Sequence, residues 1–216
     1  MMPTVVSMLS WAALLLSLER FFYVWLCESP RSFVRLCRNP WSKAALDPVD
    51  VVEVLFGAFK MLQAGVFVWW CLVFGRGQLF PLAAGPAAIL SGALLIAGGQ
   101  ALILIAFRRL GRLAAFYGGQ FGRPVRWNSG FPFSWFRHPQ YVGAVASIWG
   151  VMLIFRFPAP DWWWLPALQT IYYGLGARLE RYDPARSLKT RVTSRWSGRL
   201  RSLSPRARQT WHRDSS

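Results

Sequence analysis

The feature that most limits how this chain can fold is a series of apolar runs too long and too greasy for a water-facing surface. The first, Thr4 to Cys27, is apolar except for its serines and the Glu19-Arg20 pair. As a helix rising about 1.5 Å per residue, it spans a hydrocarbon core of about 30 Å. No basic residue precedes this run and no small-x-small cleavage site follows it, so it reads as a retained membrane helix and not as a signal peptide. Val51 to Gly75 and Phe80 to Phe107 are similar. Two shorter runs, Tyr141 to Phe157 and Trp162 to Leu179, flank the turn Pro158-Ala159-Pro160-Asp161 and carry the interfacial cluster Trp162, Trp163, Trp164. The predicted fold is all-α: a polytopic integral membrane helical bundle of four to five spans, ending in a short helical hairpin. A re-entrant hairpin is the alternative for the last two runs.

Charge sets the orientation. The chain is 54% hydrophobic, yet 25 Lys and Arg against 9 Asp and Glu leave a net +16, and half of that excess lies in residues 181–216. Basic residues alternate between loops. Arg31, Arg35, Arg38 and Lys43 fill the first, Arg76 stands alone in the second, and Arg108, Arg109, Arg112, Arg123, Arg126 and Arg137 fill the third. The hairpin turn has none and residues 181–216 have ten. By the positive-inside rule the first loop, the third loop and the tail are cytosolic. Residues 1–183 then form the membrane domain, and 184–216 form an Arg/Ser-rich tail expected to be disordered or to lie on anionic lipid. Its aromatics are too sparse, and a recognition fold too clearly lacking, for a nucleic-acid partner.

Polar residues inside the spans mark points of cost or of function. Glu53 and Lys60, seven residues apart, share a helix face; Lys60 either pairs or snorkels, and Glu53 is close enough to the span's end to be interfacial. Gly85, Ala88, Gly92 and Gly99 form a stripe of small residues on the third span, suited to close helix approach. Cys27, Cys37 and Cys71 lack metal-ligand spacing, so no metal is predicted. Residues 116–140 combine repeated Gly and Pro with eight aromatics, which predicts a structured loop.

That loop ends in Arg137-His138-Pro139-Gln140-Tyr141-Val142-Gly143. Pro139 suits the first helical turn, which leaves Arg137 and His138 at a helix N-terminus, a natural place for a carboxylate or phosphate. A basic juxtamembrane pair before a helix-starting proline is the plain alternative. Glu180, at the end of the last span, returns to the same membrane face if the hairpin forms, there to pair with these residues or with a cation, or simply to sit solvated beside Arg178 and Arg181.

The stretch AGGQALILIAFRRLGRLAAFYGGQFG, then SGFPFSWFRHPQYVGAVASIWG and the later LERYD, resembles the phospholipid methyltransferase family over roughly residues 85 to 183. The RHPxYxG form is also similar to isoprenylcysteine carboxyl methyltransferases. The resemblance implies a membrane enzyme of the endoplasmic reticulum, or of a mitochondrial membrane, that methylates the amine of phosphatidylethanolamine or its mono- and dimethyl forms. S-adenosylmethionine is the implied methyl donor. It also implies cofactor contacts from a GxG segment, here Ala97-Gly98-Gly99, and from a Glu-Glu pair, here Glu180-Arg181. Both depart from the pattern, and Arg181 reverses a charge. On this reading Arg137, His138, Tyr141 and Glu180 hold the donor, and His138 relays the amine's proton. Tyr141 and Trp149 face the methylammonium. Carboxyl methylation of a prenylated cysteine and a non-catalytic lipid-binding scaffold are the rival functions. The sequence sets no oligomeric state.

Overall fold

The computed structural model describes residues 5–37, 46–77, 84–125 and 130–179. They form six helices in the order α1 (Val5–Glu28), α2 (Pro30–Cys37), α3 (Pro48–Phe74), α4 (Pro86–Ala115), α5 (Pro139–Phe155) and α6 (Trp164–Leu179), and the described residues include no strand. The chain is a polytopic membrane helical bundle. Three helices, α1, α3 and α4, are long and apolar enough to cross a bilayer, and α5 is a shorter apolar helix. Large apolar side chains such as Trp11, Phe21, Leu90 and Leu94 stand on the outside, where lipid and not water is the fitting solvent.

Proline opens α3, α4 and α5 at the position where its missing N–H costs nothing. Asp47 caps α3 by accepting the Val49 backbone N–H at 3.0 Å. That bond, followed by the charge of Arg123, holds the Asp47 carboxyl below its ordinary range. The helix of the third span runs on past the apolar run that ends at Phe107, through Arg108, Arg109 and Arg112, to Ala115. Those charges end the lipid-facing segment, but nothing in an arginine ends a helix. The break comes instead at Gly111, whose φ of 69° is one that glycine adopts freely. The short helix α2 was not anticipated; it folds back so that Phe33 and Cys37 are buried against Leu26 and Val52.

In lipid the burial of apolar surface gives helices little reason to associate, so close backbone packing must supply it. The expected stripe does this through two of its four members. Gly99 faces Gly143 and Gly92 faces Gly150, one heptad apart on antiparallel α4 and α5. Gly85 is the N-cap of α4 and has open space around it.

The two ends of the bundle differ in chemistry. At the end away from the basic loops, Arg156 caps α5 and meets Asp161 through two hydrogen bonds, at 2.9 and 2.5 Å, with both residues buried. Trp70 of α3 donates its indole N–H to the same carboxylate at 3.0 Å. This closes the expected α5–α6 hairpin and docks its turn on α3. At the basic end Arg112 pairs with Asp50 and Glu53, while Arg123 pairs with Asp47. The interfacial reading of Glu53 is the one the structure follows. The Arg-rich tail lies outside the described residues.

Candidate active site

Between α1, α3, α4, α5 and the loop 116–125 lies a cavity of about 810 Å³. Its walls follow from helical spacing. Val52, Phe56, Lys60 and Gln63 of α3 look across it at Gln100, Ile103, Phe107 and Leu110 of α4. At the basic end, Phe56, Phe107 and Phe116 close on one another with centroids 5.7 to 6.3 Å apart. The loop that follows α4 contributes Phe116, Tyr117, Gly119 and Gln120, so the aromatic Gly-rich segment is structured over its described residues and forms part of the cavity wall.

Arg137, His138 and Tyr141, singled out in the sequence, all line this cavity. His138 is the N-cap of α5, and its ring stacks on Tyr141 at 5.4 Å and 14°. One ring nitrogen bonds to the carbonyl of Ala177 in the last turn of α6. The other, Nε2, is buried and has no partner. Burial, then the neighbouring Arg137 charge, pushes the imidazole below its usual value, against a smaller opposing effect of the Ala177 bond. His138 is therefore neutral at pH 7, with a proton on the nitrogen facing Ala177 and a lone pair on Nε2. The Oε1 of Gln140 is a second buried acceptor without a partner.

A further polar cluster sits deeper. Lys60 Nζ donates to Glu19 Oε1 at 3.1 Å, to Gln63 Oε1 at 3.0 Å and to the Tyr173 hydroxyl at 3.1 Å. The other Glu19 oxygen accepts from Gln63 Nε2. Arg20 lies 3.6 Å from that same oxygen, with its guanidinium 4.3 Å from the Tyr173 ring centroid and 5.8 Å from that of Tyr141. Tyr141 thus stands between His138 and Arg20. Lys60 pairs and does not snorkel. Glu19, Arg20, Gln63 and Tyr173 also line the cavity and were not singled out from the sequence as site residues, although the Glu19-Arg20 pair in an otherwise apolar run was a visible trace of this cluster.

The remaining predicted residues fall elsewhere. Gly99 is buried in the α4–α5 contact, while Ala97 and Gly98 are exposed on α4 and do not line the cavity. The next residue, Gln100, does line it and donates to Ser147 at 2.9 Å. Trp149 is not on the cavity wall, because its indole N–H is engaged by Thr170 at 3.0 Å and its ring packs on Trp162. Glu180 and Arg181 lie outside the described residues, but Ala177 beside His138 shows that α6 ends at the face where α5 begins. The described residues contain no group of His, Cys, Asp or Glu side chains arranged to hold a metal.

Residues 87–181 match the phospholipid methyltransferase family profile, a span that takes in nearly all of α4, the aromatic loop and the hairpin. The phosphatidyl-N-methylethanolamine N-methyltransferase of Arabidopsis thaliana is 31% identical over 130 residues, covering 59% of this chain and 68% of that protein. No solved structure matches.

Proposed function

Since this chain belongs to the phospholipid methyltransferase family, we propose that it transfers a methyl group from S-adenosylmethionine to the amine of phosphatidylethanolamine or of its mono- and dimethyl forms, towards phosphatidylcholine. The observation that carries this reading is the buried, unpartnered Nε2 of a neutral His138, set beside Arg137 in a cavity between apolar helices. A lipid ammonium must lose a proton before it has a lone pair to offer, and His138 is a base with a free lone pair at the place where a headgroup and a water-borne donor would meet.

The residues present fit the donor. A volume of about 810 Å³ lies within the range of ligand sites. Arg137 and the N-terminus of α5 would hold the methionine carboxylate through charge-assisted hydrogen bonds and the helix dipole. Gln140 Oε1 supplies an acceptor for an amino group or a ribose hydroxyl, and Glu180 is proposed to do the same. Direct contact of Ala97 and Gly98 with the donor has no support from their exposed position. Gly99 and Arg181 are kept only as family-implied positions. The bound sulfonium would supply an electrophilic methyl group for direct displacement by nitrogen. The chain's own contribution is placement and proton removal: Tyr141 fixes the imidazole by stacking, Ala177 fixes which nitrogen carries the proton, and Nε2 takes the proton from the substrate ammonium.

The endoplasmic reticulum is the proposed compartment, with anionic lipid as a partner for the tail. Membranes containing the protein, given labelled S-adenosylmethionine and each of the three lipid acceptors, test the reading. Label in the lipid amine is expected. Base-labile methyl ester on protein would move the assignment to carboxyl methylation, and binding of lipid with no transfer to any acceptor would leave a scaffold.

A further inference from the structure

The basic end of the cavity is covered by a segment built differently from the helices beneath it. Inside α4 the helical backbone breaks at Gly111, with φ 69° and ψ 166°, a combination that essentially only glycine adopts. Among the described residues, no atom lies within 4 Å of where a Cβ would stand, so the turn is not wedged by a neighbour. Beyond the break, backbone groups of residues 112–125 bond to one another. Gly118 donates its N–H to the Leu113 carbonyl at 2.7 Å, Gln120 to Tyr117 at 2.9 Å and Arg123 to Gly118 at 3.0 Å. Such a unit can move as one piece and keep these bonds. Ala114, Phe116, Tyr117 and Gln120 face the cavity from this side.

The segment is fastened by contacts that are easily exchanged. Arg112 donates to Asp50 at 2.6 Å and to Glu53 at 2.7 Å, and Arg123 donates to Asp47, which ties the segment to the start of α3. Arg112 and Asp50 are each 55% exposed and Glu53 43%, and ion pairs so exposed add little to stability. Tyr117 stacks on Tyr23 of α1 at 5.5 Å and Phe121 on Phe33 of α2 at 5.7 Å. Rings released from these contacts would lie in the headgroup region, where they lose less than in water. Tyr117 itself holds a left-handed backbone, φ 57°, which is unfavourable for a residue with a Cβ. In this closed position the rings of Phe56, Phe107 and Phe116, in contact at 5.7 to 6.3 Å, leave no passage between them for a nucleoside.

We propose that residues 112–125 are a hinged cover, turning at Gly111 and fastened to α3 by Arg112 and Arg123, that opens to the water at the basic end to pass the methyl donor in and its demethylated product out. Closed, it keeps water from the proton transfer at His138. The route follows from charge: the fastening side chains face water, and Arg137, proposed to hold the donor's carboxylate, lines the same cavity. The identity of the ligand rests on the proposed function; the hinge and its fastening do not.

Two readouts on the full-length protein in detergent test this. The first needs no ligand: Ile103→Cys places a thiol on the cavity wall, and its modification by a permanently charged thiosulfonate, followed by peptide mass, reads how often the cover opens. Adding Arg112→Gln and Arg123→Gln to that variant is expected to speed labelling roughly fivefold or more, while adding Arg112→Lys should change it by less than about twofold. Adding Gly111→Ala, which alters no charge but denies the closed backbone its φ, should also speed labelling. Thermal unfolding establishes that each variant is folded. The second readout is the dissociation rate of S-adenosylhomocysteine, the product of the donor, loaded before Glu53→Cys and Arg112→Cys are joined by a short bifunctional thiosulfonate. The cross-linked protein should release it roughly tenfold or more slowly than the same variant after reduction. Unchanged labelling in folded Arg112→Gln/Arg123→Gln and Gly111→Ala proteins would make the segment a fixed wall. Faster labelling, with release indifferent to the cross-link, would overturn the route and send the donor past Arg137 instead. Cover-dependent labelling in a protein that binds no S-adenosylhomocysteine would sustain the hinge and overturn the methyl-donor reading.

Discussion

Gly99 and Gly143 approach so closely that a Cβ built on either would lie 2.5 Å from the other's carbonyl oxygen. Backbone, not a flexible side chain, is the obstacle, so the added methyl can be accommodated only by parting α4 from α5. Gly99→Ala or Gly143→Ala is therefore expected to destabilise the folded protein by about 1–3 kcal/mol. Gly98→Ala, where nothing lies within 4 Å, should be silent. Thermal unfolding of the three variants in detergent checks this. A normal melting temperature for Gly99→Ala combined with weakened donor binding would instead favour the family's cofactor role for that glycine.

The hairpin turn offers a second test of packing. Arg156 and Asp161 are both buried and satisfy each other, and Trp70 shares the carboxylate. Asp161→Ala strands a buried guanidinium and should cost about 3–5 kcal/mol, whereas Arg156→Met/Asp161→Leu together should recover most of the loss. Thermal unfolding of the single and double variants measures the difference. Equal destabilisation by both would mean that the charge itself is dispensable and that shape at the turn matters.

Much of this bundle is legible in its sequence because the signal is local. Apolar runs of bilayer length give α1, α3 and α4, proline at Pro48, Pro86 and Pro139 begins helices, and the small stripe on α4 finds its glycine partners on α5. His138 and Tyr141 were visible because a helix start and its flanking charge lie within seven residues. What escaped depends on pairing between distant segments. Lys60 signals that a partner is needed but not which, and Glu19 is 41 residues away. Arg156 reads as part of an apolar span until the turn brings Asp161 back to it. Trp149 lies at the depth of Ser147 and Ile148, which line the cavity, but faces Thr170 and Trp162 instead, a difference that only the packing of α5 on α6 decides.

The donor site proposed at Arg137 is open to mutagenesis. Charged hydrogen bonds are worth about 1.5–3 kcal/mol, so Arg137→Ala is expected to weaken S-adenosylmethionine binding by roughly 10- to 100-fold. Titration of the wild-type protein and the variant with the donor decides the matter. Donor affinity within about twofold of wild type would remove Arg137 from the donor site.

The last prediction turns on the proton carried by His138. Burial and Arg137 depress its imidazole below the ordinary value of 6.5, so at neutral pH Nε2 holds a lone pair, the state that the proposed proton removal from the lipid ammonium requires. As pH falls through the depressed value the imidazole gains a proton and activity should drop, giving an acid limb centred below 6.5. The same depression means the unfolded chain takes up this proton first. The stability linked to a neutral His138 is thus present above pH 6.5 and is lost as pH falls through the folded value. His138→Ala should lower kcat by about 100-fold or more and abolish the acid limb, with donor binding at pH 7 largely retained. A pH–rate profile of the two proteins, compared with their melting temperatures at pH 5.5 and 7.5, separates chemistry from folding: an unchanged limb in His138→Ala assigns the titration to another group, and an unchanged rate removes His138 from proton transfer.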